Sequence, residues 1–376
     1  MFDSNLISEL FKGITNFTWG NLLMLAVGLI LVGLGIFKEY EPVLLVPIGF
    51  GCILANIPLN GLLDENGLLG ILNRVGIETE IFPLLIFIGV GAMIDFSPLL
   101  AQPKMVLMGA AGQFGIFGTL ILAVLIGFPI NEAASIGVIG AIDGPTSIYV
   151  ASKLAPSLLA PIAVAAYSYM SLIPIIQPPI MRLMTSKKER SIRMEYSPRP
   201  VSKKVLIIFP IAVTILIGIL VPDATPLISM LMLGNLLKEA GVVERLSNSA
   251  QNEIINITTL FLGLAIGSTM GASTFLKFTT LEILLLGLFA FILDTVAGLL
   301  FGKLMCSLSK QKINPLIGAA GISAFPMAGR LAAKMANEED YENFILMHAM
   351  GTNTAGQLGS VVAGSILLAM VSRMLL

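Results

Sequence analysis

The segment GAIDGPTSI, residues 140–148, places a carboxylate directly before a glycine–proline pair. It lies between two runs without any charged residue, 105–131 and 154–181. Proline lacks an N–H and clashes with the preceding helical turn, so Gly144-Pro145 predicts an interrupted helix. At membrane depth such backbone must be buried in protein or line a cavity. Freed carbonyls beside Asp143 would suit a small hard cation; the alternative is a cytoplasmic turn that ends a helix.

A second segment of similar composition, INPLIGAAGISAFPMAGR at 313–330, contains no acid. Its Asn314 and Ser323 could supply neutral oxygen ligands, and Arg330 supplies a permanent positive charge. An arginine inside a membrane is energetically costly and indicates a functional role, with Asp143 or an anionic substrate as its partner. The alternative is that Arg330 marks a helix end and extends its charge to the membrane surface.

Further polar residues lie in or beside the apolar runs. Tyr169 in AYSYMS and Asn353 in MHAMGTNTAG could face the same site or serve in helix packing. His348, the only histidine, could relay protons or be a packed, hydrogen-bonded residue. We expect Asp95 to end its helix. Asp294 is predicted to lie deeper, with no partner that the sequence identifies.

The composition of the chain indicates a polytopic, all-α membrane protein. Of its 376 residues, 56% are hydrophobic and 12% charged, and the mean hydropathy is +0.92. Soluble domains carry about 25% charged residues. Apolar segments near the length needed to cross a bilayer recur along the chain and predict about 10 to 12 membrane elements. A net charge of −1 argues against a nucleic-acid partner.

One long hydrophilic connection, TSKKERSIRMEYSPRPVSKK at 185–204, divides the chain into two pieces of similar length. Its many Lys and Arg residues predict a cytoplasmic location. We therefore expect four regions. They are an amphipathic N-terminal segment (1–19), a first membrane repeat (20–184), a basic cytoplasmic linker (185–204) and a second membrane repeat (205–376).

The two pieces share a pattern. IGAIDGPTSIYVASKLA, which begins at Ile139, and IGAAGISAFPMAGRLA, which begins at Ile317, align with one gap. Internal repeats with matched glycine and proline interruptions are typical of transporters, which bind their substrates near the membrane midplane between the repeats. We expect two inverted repeats, with interrupted helices at their interface.

Two common energy-coupling motifs are missing from the chain. FGKLM at 301–305 does not satisfy the phosphate-binding pattern G-x-x-x-x-G-K-[ST], so ATP is not the expected energy source. AKM at 333–335 lacks the preceding methionine of a biotin acceptor, so no covalent biotin is expected on this chain.

The motifs GAIDGPTSI, NPLIGAAGISAFPMAGR and GTNTAGQLGS, in this order, carry a family resemblance. The chain resembles the membrane-embedded beta subunit of the sodium-pumping, biotin-dependent decarboxylases, which act on oxaloacetate, glutaconyl-CoA, methylmalonyl-CoA or malonate. The resemblance covers essentially the whole chain. It identifies as the family's functional residues Asp143, Tyr169, Asn314, Gly318, Ser323, Arg330 and Asn353.

The resemblance also implies roles for these residues. Sodium ligands are expected at Asp143, Asn314, Gly318, Ser323 and Asn353. Arg330 would bind the carboxylate of carboxybiotin, and Tyr169 or Asp143 itself would pass on the proton that decarboxylation consumes.

The implied assembly lies in the bacterial cytoplasmic (inner) membrane, where this chain is a multi-pass subunit surrounded by lipid. Its expected partners are a carboxyltransferase alpha subunit, a biotin carrier protein and a small membrane-anchored gamma or delta subunit, with homo-oligomers left open. The compact length favours glutaconyl-CoA or methylmalonyl-CoA as the substrate of the complex. The alternative function is an ion-coupled secondary transporter, a sodium symporter or antiporter without catalysis; a structural scaffold would leave the matched interruptions unexplained.

Overall fold

A computed structural model describes residues 11–195, 201–309 and 312–375 of the chain. Within these ranges every regular element is a helix and no strand occurs, which confirms the predicted all-α class. Of the predicted N-terminal segment, residues 1–10 lie outside the described residues, and so do residues 196–200 of the linker.

Between residues 11 and 184, the described part of the first half, there are eleven α-helices, several of them continued by short π or 3₁₀ turns. The π turn Asn73–Glu78 follows α4, and the 3₁₀ turns Val138–Ala141 and Pro156–Leu158 precede α10 and α11. The α-helices are α1 (Lys12–Thr15), α2 (Trp19–Phe37), α3 (Pro42–Ala55), α4 (Leu68–Leu72), α5 (Ile81–Met93), α6 (Ser97–Ala101), α7 (Met105–Ala111), α8 (Phe114–Ile126), α9 (Ile130–Gly137), α10 (Gly144–Leu154) and α11 (Leu159–Met184).

The linker and the second half follow a similar order. The 3₁₀ turn Pro222–Ala224 precedes α14, the π turn Ala250–Ile254 joins α15 to α16, and the 3₁₀ helix Pro315–Gly321 precedes α19. The α-helices are α12 (Lys187–Arg190), α13 (Lys203–Leu220), α14 (Thr225–Ala240), α15 (Glu244–Ser249), α16 (Ile255–Ser268), α17 (Ala272–Phe275), α18 (Phe278–Leu308), α19 (Met327–Glu339) and α20 (Leu346–Leu375).

Six helical segments among the described residues are long and apolar enough to cross a membrane. A seventh results if α4, its π turn and α5, bent by 64°, form one span. Crossing the hydrocarbon core takes about 20 apolar residues, and the prediction of a polytopic membrane protein is confirmed. In place of the 10 to 12 membrane elements that the sequence predicted, the described residues contain these six or seven spans and two shorter apolar helices, Pro42–Ala55 and Ile130–Ala141. The six segments are Trp19–Phe37, Met105–Ile126, Pro156–Met184, Lys203–Leu220, Phe278–Leu308 and Leu346–Leu375.

Helices of the two halves pack against each other in reciprocal pairs. Helix α3 of the first half contacts α16, and α5 of the first half contacts α14. In the same way α11 contacts α18, and α7 contacts α20. Both halves also carry a π turn next to their third long helix and an interrupted segment before their last. This order agrees with two repeats, whereas the inverted orientation and the region boundaries stay predictions.

The described part of the linker is tied to the end of α19 by ion pairs. Arg182 lies 3.2 Å from Glu338, and the Nε of the buried Arg190 donates to Glu339 at 2.8 Å. Exposed Arg193 pairs with Asp340 at 2.6 Å. Basic residues at the end of α11 and in the linker therefore hold the acidic end of a helix in the second half.

Candidate functional site

The first interruption occurs two residues earlier than the glycine–proline pair predicts. The 3₁₀ turn Val138–Ala141 ends at Ile142, which has a left-handed backbone with φ of 52°, and Asp143 is extended. Gly144 and Pro145 do not stop a helix; they begin α10. Proline is well suited to the first turn of a helix because the N–H that it lacks would have no partner there. The carboxylate therefore lies at the break itself.

The carboxylate of Asp143 is buried and held by neutral donors. Its Oδ2 accepts hydrogen bonds from Thr146 Oγ1 at 2.6 Å, Gln357 Nε2 at 2.8 Å and Ser360 Oγ at 2.9 Å. Gln357 and Ser360 belong to α20, the last helix of the second half. Within the described residues no arginine or lysine forms an ion pair with Asp143. Such a charge, surrounded by polar but uncharged groups, favours binding of a cation.

The second interrupted segment contacts the first directly. The backbone N–H of Ser323 donates to the carbonyl oxygen of Ala141 at 3.1 Å, two residues before Asp143. The Ser323 hydroxyl donates to Gly356 O at 3.0 Å, and Gly356 precedes the Gln357 that binds Asp143. The structure therefore brings Ser323 and the Asp143 segment together around one turn of α20.

Two buried amide oxygens lie in the same region without a hydrogen-bond donor among the described residues. Asn353 Nδ2 donates to Ile322 O at 2.7 Å, and its Oδ1 has no partner. Gln113 Nε2 donates to Gly321 O at 3.1 Å and Gly356 O at 3.2 Å, and its Oε1 has no partner. A buried acceptor left unsatisfied costs about 1–3 kcal/mol. Amide oxygens of this kind are neutral ligands that a cation could use.

The two tyrosines of AYSYMS have different surroundings. The hydroxyl of Tyr169 donates to Leu284 O of α18. Tyr167 instead packs its ring on Gly144, so closely that a Cβ at 144 would overlap it, and its buried hydroxyl has no described partner. Successive helical positions turn by about 100°, so residues two apart point to nearly opposite sides. The tyrosine nearer Asp143 is therefore the one that the sequence did not single out.

Asn314 is occupied elsewhere. Its Nδ2 donates to Arg190 O at 2.8 Å and Ile192 O at 2.9 Å, and its Oδ1 accepts from Leu316 N at 3.0 Å. The side chain thus joins the linker to the start of the 3₁₀ helix, and the structure does not bring it to Asp143.

Gly318 lies against the backbone of α18. A Cβ added at this position would overlap the carbonyl of Gly298, and one added at Gly298 would overlap the carbonyl of Gly318. Glycine at both positions lets the interrupted segment approach the long helix at backbone distance. Gly318 thereby positions the segment that carries Ser323.

Arg330 lies in the first turn of α19 and is exposed. No described acid forms an ion pair with it, so the predicted pairing with Asp143 does not occur in this structure. Lys334, one turn further along α19, is also exposed. Both cations are accessible to an anion from outside the protein.

The structure also places Asp95 and His348, and it brings further polar residues to the site that the sequence did not predict. Asp95 is exposed two residues beyond α5, where its Oδ1 accepts from Ser97 N at 2.8 Å, and His348 is buried near the start of α20. Four polar residues of the quoted motifs were not predicted from the sequence, and neither was Gln113 of the apolar run 105–131; the four are Thr146, Tyr167, Gln357 and Ser360. A spacing of three places Gln357 and Ser360 on one face of α20, and the same spacing lets Thr146 in the first turn of α10 reach back to Asp143.

No group of three or more His, Cys, Asp or Glu side chains in the described ranges could hold a metal ion. A cation beside Asp143 would therefore combine one carboxylate with hydroxyl, amide and backbone oxygens. Hard monovalent and divalent cations of the alkali and alkaline-earth groups prefer such oxygen ligands, whereas transition metals favour nitrogen and sulfur.

Comparison with known proteins gives one family over most of the chain. The family described as the Na+-transporting oxaloacetate decarboxylase beta subunit matches residues 20–371. The matched range contains both interrupted segments and α20 up to residue 371.

Individual relatives are similar over almost their entire length. The methylmalonyl-CoA decarboxylase subunit beta of Veillonella parvula is 55% identical, with 96% of each chain covered. The glutaconyl-CoA decarboxylase subunit beta of Acidaminococcus fermentans is 54% identical, again with 96% of each chain covered. The probable oxaloacetate decarboxylase beta chain of Pasteurella multocida is 46% identical, over 96% of this chain and 98% of that one.

Proposed function

The chain belongs to the family of membrane-embedded beta subunits of the Na+-transporting, biotin-dependent decarboxylases, and from this premise we propose how it works. It decarboxylates carboxybiotin that a separate carrier delivers and couples this reaction to the export of sodium ions. The observation that carries the proposal is the buried Asp143 carboxylate at the contact between the two interrupted segments, held by neutral donors alone.

Sodium is proposed to bind between Asp143, Ser323 and Asn353. Asp143 supplies the negative charge, while the Ser323 hydroxyl and the unpartnered Asn353 Oδ1 supply neutral oxygens. Gln113 Oε1 is a further neutral oxygen in this region. Asn314 and Gly318 act by positioning, because one is fully hydrogen-bonded to the linker and its own turn and the other packs on α18.

Decarboxylation breaks the bond between the carboxyl carbon and a ureido nitrogen of carboxybiotin. The bond electrons stay on that nitrogen, CO2 leaves, and the nitrogen takes up one proton. Arg330 is accessible and unpaired among the described residues, and its planar guanidinium matches a carboxylate with two parallel hydrogen bonds. Arg330 would bind the carboxyl group, and Asp143 or Tyr169 would pass on the proton.

Coupling follows from a single buried charge. A sodium ion and a proton each neutralise the Asp143 carboxylate, so binding of one opposes binding of the other. A proton delivered to the reaction from this carboxyl group leaves a carboxylate ready for sodium. Sodium then leaves toward the outside when a proton replaces it.

The complex is proposed to act on an acyl-CoA. The methylmalonyl-CoA and glutaconyl-CoA relatives are 55% and 54% identical to this chain, and the Pasteurella oxaloacetate relative is 46% identical. A carboxyltransferase subunit, which selects this substrate, a biotin carrier protein and a small membrane-anchored subunit are the proposed partners. Further copies of the chain are compatible with its many exposed apolar side chains.

The test uses the assembled complex in liposomes, supplied with synthetic N-carboxybiotin. We expect sodium to stimulate CO2 release and sodium to move in the same preparation. An ion-coupled transporter without catalysis would move sodium along its gradient while carboxybiotin decayed at its spontaneous rate. That second result would overturn the proposal.

A further inference from the structure

A second buried acid lies near the first interrupted segment. Asp294, in the middle of α18, is 0% exposed. The backbone N–H of Gly115, at the start of α8, donates to its Oδ1. No such partner is found in the described residues for the other oxygen, Oδ2.

This unpartnered oxygen faces the segment that carries Asp143. A Cβ built on Gly140 would lie 2.9 Å from Asp294 Oδ2, and one built on Gly115 would lie 2.7 Å from Oδ1. The carboxyl group therefore lies between α8 and the turn that ends two residues before Asp143. Glycine at both positions leaves the space that the carboxyl group fills.

The elements packed against α18 bring no positive charge to this carboxyl group in the described structure. Helices α7 and α8, the 3₁₀ turn Val138–Ala141 and the 3₁₀ helix Pro315–Gly321 contain no titratable side chain. The titratable groups of the remaining neighbours and of α18 itself are Glu132 of α9, Tyr167, Tyr169 and Arg182 of α11, and Glu282, Lys303 and Cys306 of α18. The two cations among them are paired, Arg182 with Glu338 and Lys303 with Glu189.

A charged carboxylate without a counter-charge in the membrane interior is strongly disfavoured. We propose that Asp294 binds a proton, as a second site distinct from the cation site at Asp143, and exchanges this proton during turnover. That Asp294 binds a proton does not depend on the proposed function, whereas the exchange of this proton during turnover rests on it.

The geometry also explains why this proton is exchanged. A permanently neutral acid would donate its O–H to an acceptor, but Oδ2 has no partner here. A buried polar group left unsatisfied costs about 1–3 kcal/mol, and a catalytic role is one reason for such a group in a folded protein. The neighbouring turn Val138–Ala141 leads directly into the break at Ile142, so a rearrangement of this segment during turnover would change the acceptors available to Oδ2. Asp294 would then hold its proton in one state and release it in another.

The first experiment measures protonation directly. Infrared spectra of the complex at neutral pH are compared between the wild type and Asp294→Asn. The wild type should show a band of a protonated carboxyl group that is absent from the variant. The matched control is Asp95→Asn, which alters an exposed acid at a helix end and should keep the band. Unchanged spectra in Asp294→Asn would overturn the proposal, because the carboxyl group would then be ionised. If Asp294→Asn does not assemble, Asp294→Glu is measured instead. It should shift the frequency of the band, and an unshifted band would also overturn the proposal.

The second experiment concerns exchange. An amide keeps the shape of the neutral acid but cannot release a proton, so Asp294→Asn should assemble and be protected by sodium against heating. Its sodium-dependent turnover should fall by about a hundredfold, with a changed pH profile, while Asp95→Asn keeps both. Normal turnover and an unchanged profile in Asp294→Asn would overturn exchange and leave a static carboxyl group. This result is separable from failure of the proposed function, in which the wild type itself lacks carboxybiotin decarboxylation.

Discussion

The two interrupted segments differ in charge and in accessibility. The first contains Asp143, whose charge is buried and held by three neutral donors. The second carries no acid; it contributes Ser323 to the contact and then leads to Arg330, which is exposed. The repeated pattern therefore does not duplicate a site. In the proposed cation site the first segment supplies the charge and the second supplies the neutral hydroxyl oxygen of Ser323.

Helix α20 connects these unequal segments. Its Gln357 and Ser360 bind the carboxylate of the first, while Gly356 and Asn353 bind the second. All four residues lie within about two helical turns, so a shift of either segment must break hydrogen bonds to the same helix. We therefore predict that substitutions in the first segment weaken sodium binding most strongly, and that substitutions in the second segment weaken it less.

The largest effect is expected for Asp143→Asn. The amide keeps the size of the side chain but removes the charge, and its NH2 group would face the donors of Thr146 and Gln357. Sodium transport and sodium-stimulated decarboxylation should fall by about a hundredfold or more. Radioactive sodium uptake and CO2 release in liposomes would measure this, and a normal pumping rate would refute the cation site.

Arg330→Lys should have the next largest effect, and this effect should be on turnover rather than on sodium binding. Lysine keeps the charge but lacks the planar fork that matches a carboxylate. We expect turnover to fall by about tenfold or more, while sodium still protects the complex against heating. Full activity of the lysine variant would instead favour a residue that only extends its charge to the membrane surface.

A smaller change is predicted for Ser323→Ala, which removes one neutral oxygen and leaves the charge. Loss of a contact worth about 1 kcal/mol corresponds to roughly a fivefold higher sodium concentration at half-maximal activity. The maximal rate should fall much less than in Asp143→Asn. An unchanged sodium dependence would remove the second segment from the site.

Asn314→Ala is the matched comparison within the same segment. The asparagine bonds the linker and its own turn, so its loss should destabilise the protein by about 1–3 kcal/mol. The sodium concentration at half-maximal activity should stay the same in the variant that remains folded. A sodium dependence like that of Ser323→Ala would show that Asn314 is a ligand after all.

The smallest effect concerns the linker, outside both segments. The hydrogen bond from Arg193 holds the pKa of Asp340 below its ordinary value of 3.8. Because the folded-state pKa is the lower one, this contribution to stability is present at neutral pH and is lost as the pH falls through it. Asp340→Asn should lower the melting temperature slightly at neutral pH and not at all in strong acid, since exposed pairs contribute little. An equal decrease at both pH values would contradict the ion pair.

The sequence by itself determined the class and the family, and it identified Asp143 as a candidate residue of the site. Composition and long apolar runs require helices in a membrane, because only helices or closed barrels satisfy the backbone there. The three motifs that predicted the resemblance were confirmed by the family match over residues 20–371. Local patterns sufficed because hydropathy and short motifs are properties of neighbouring residues.

Only the tertiary structure decided which polar groups meet. Gln357 lies 214 positions from Asp143, and the Ala141–Ser323 contact joins residues 182 positions apart, so neither follows from local spacing. The tertiary structure also placed the break at Ile142 and Asp143 rather than at Gly144-Pro145. It packed Tyr167, rather than Tyr169, against Gly144. Successive residues of a helix turn by about 100°, so their side chains point in different directions. Which of these directions faces the site is set by how the helix packs against its neighbours. The direction of each helix face depends on its neighbours, which the linear sequence does not state.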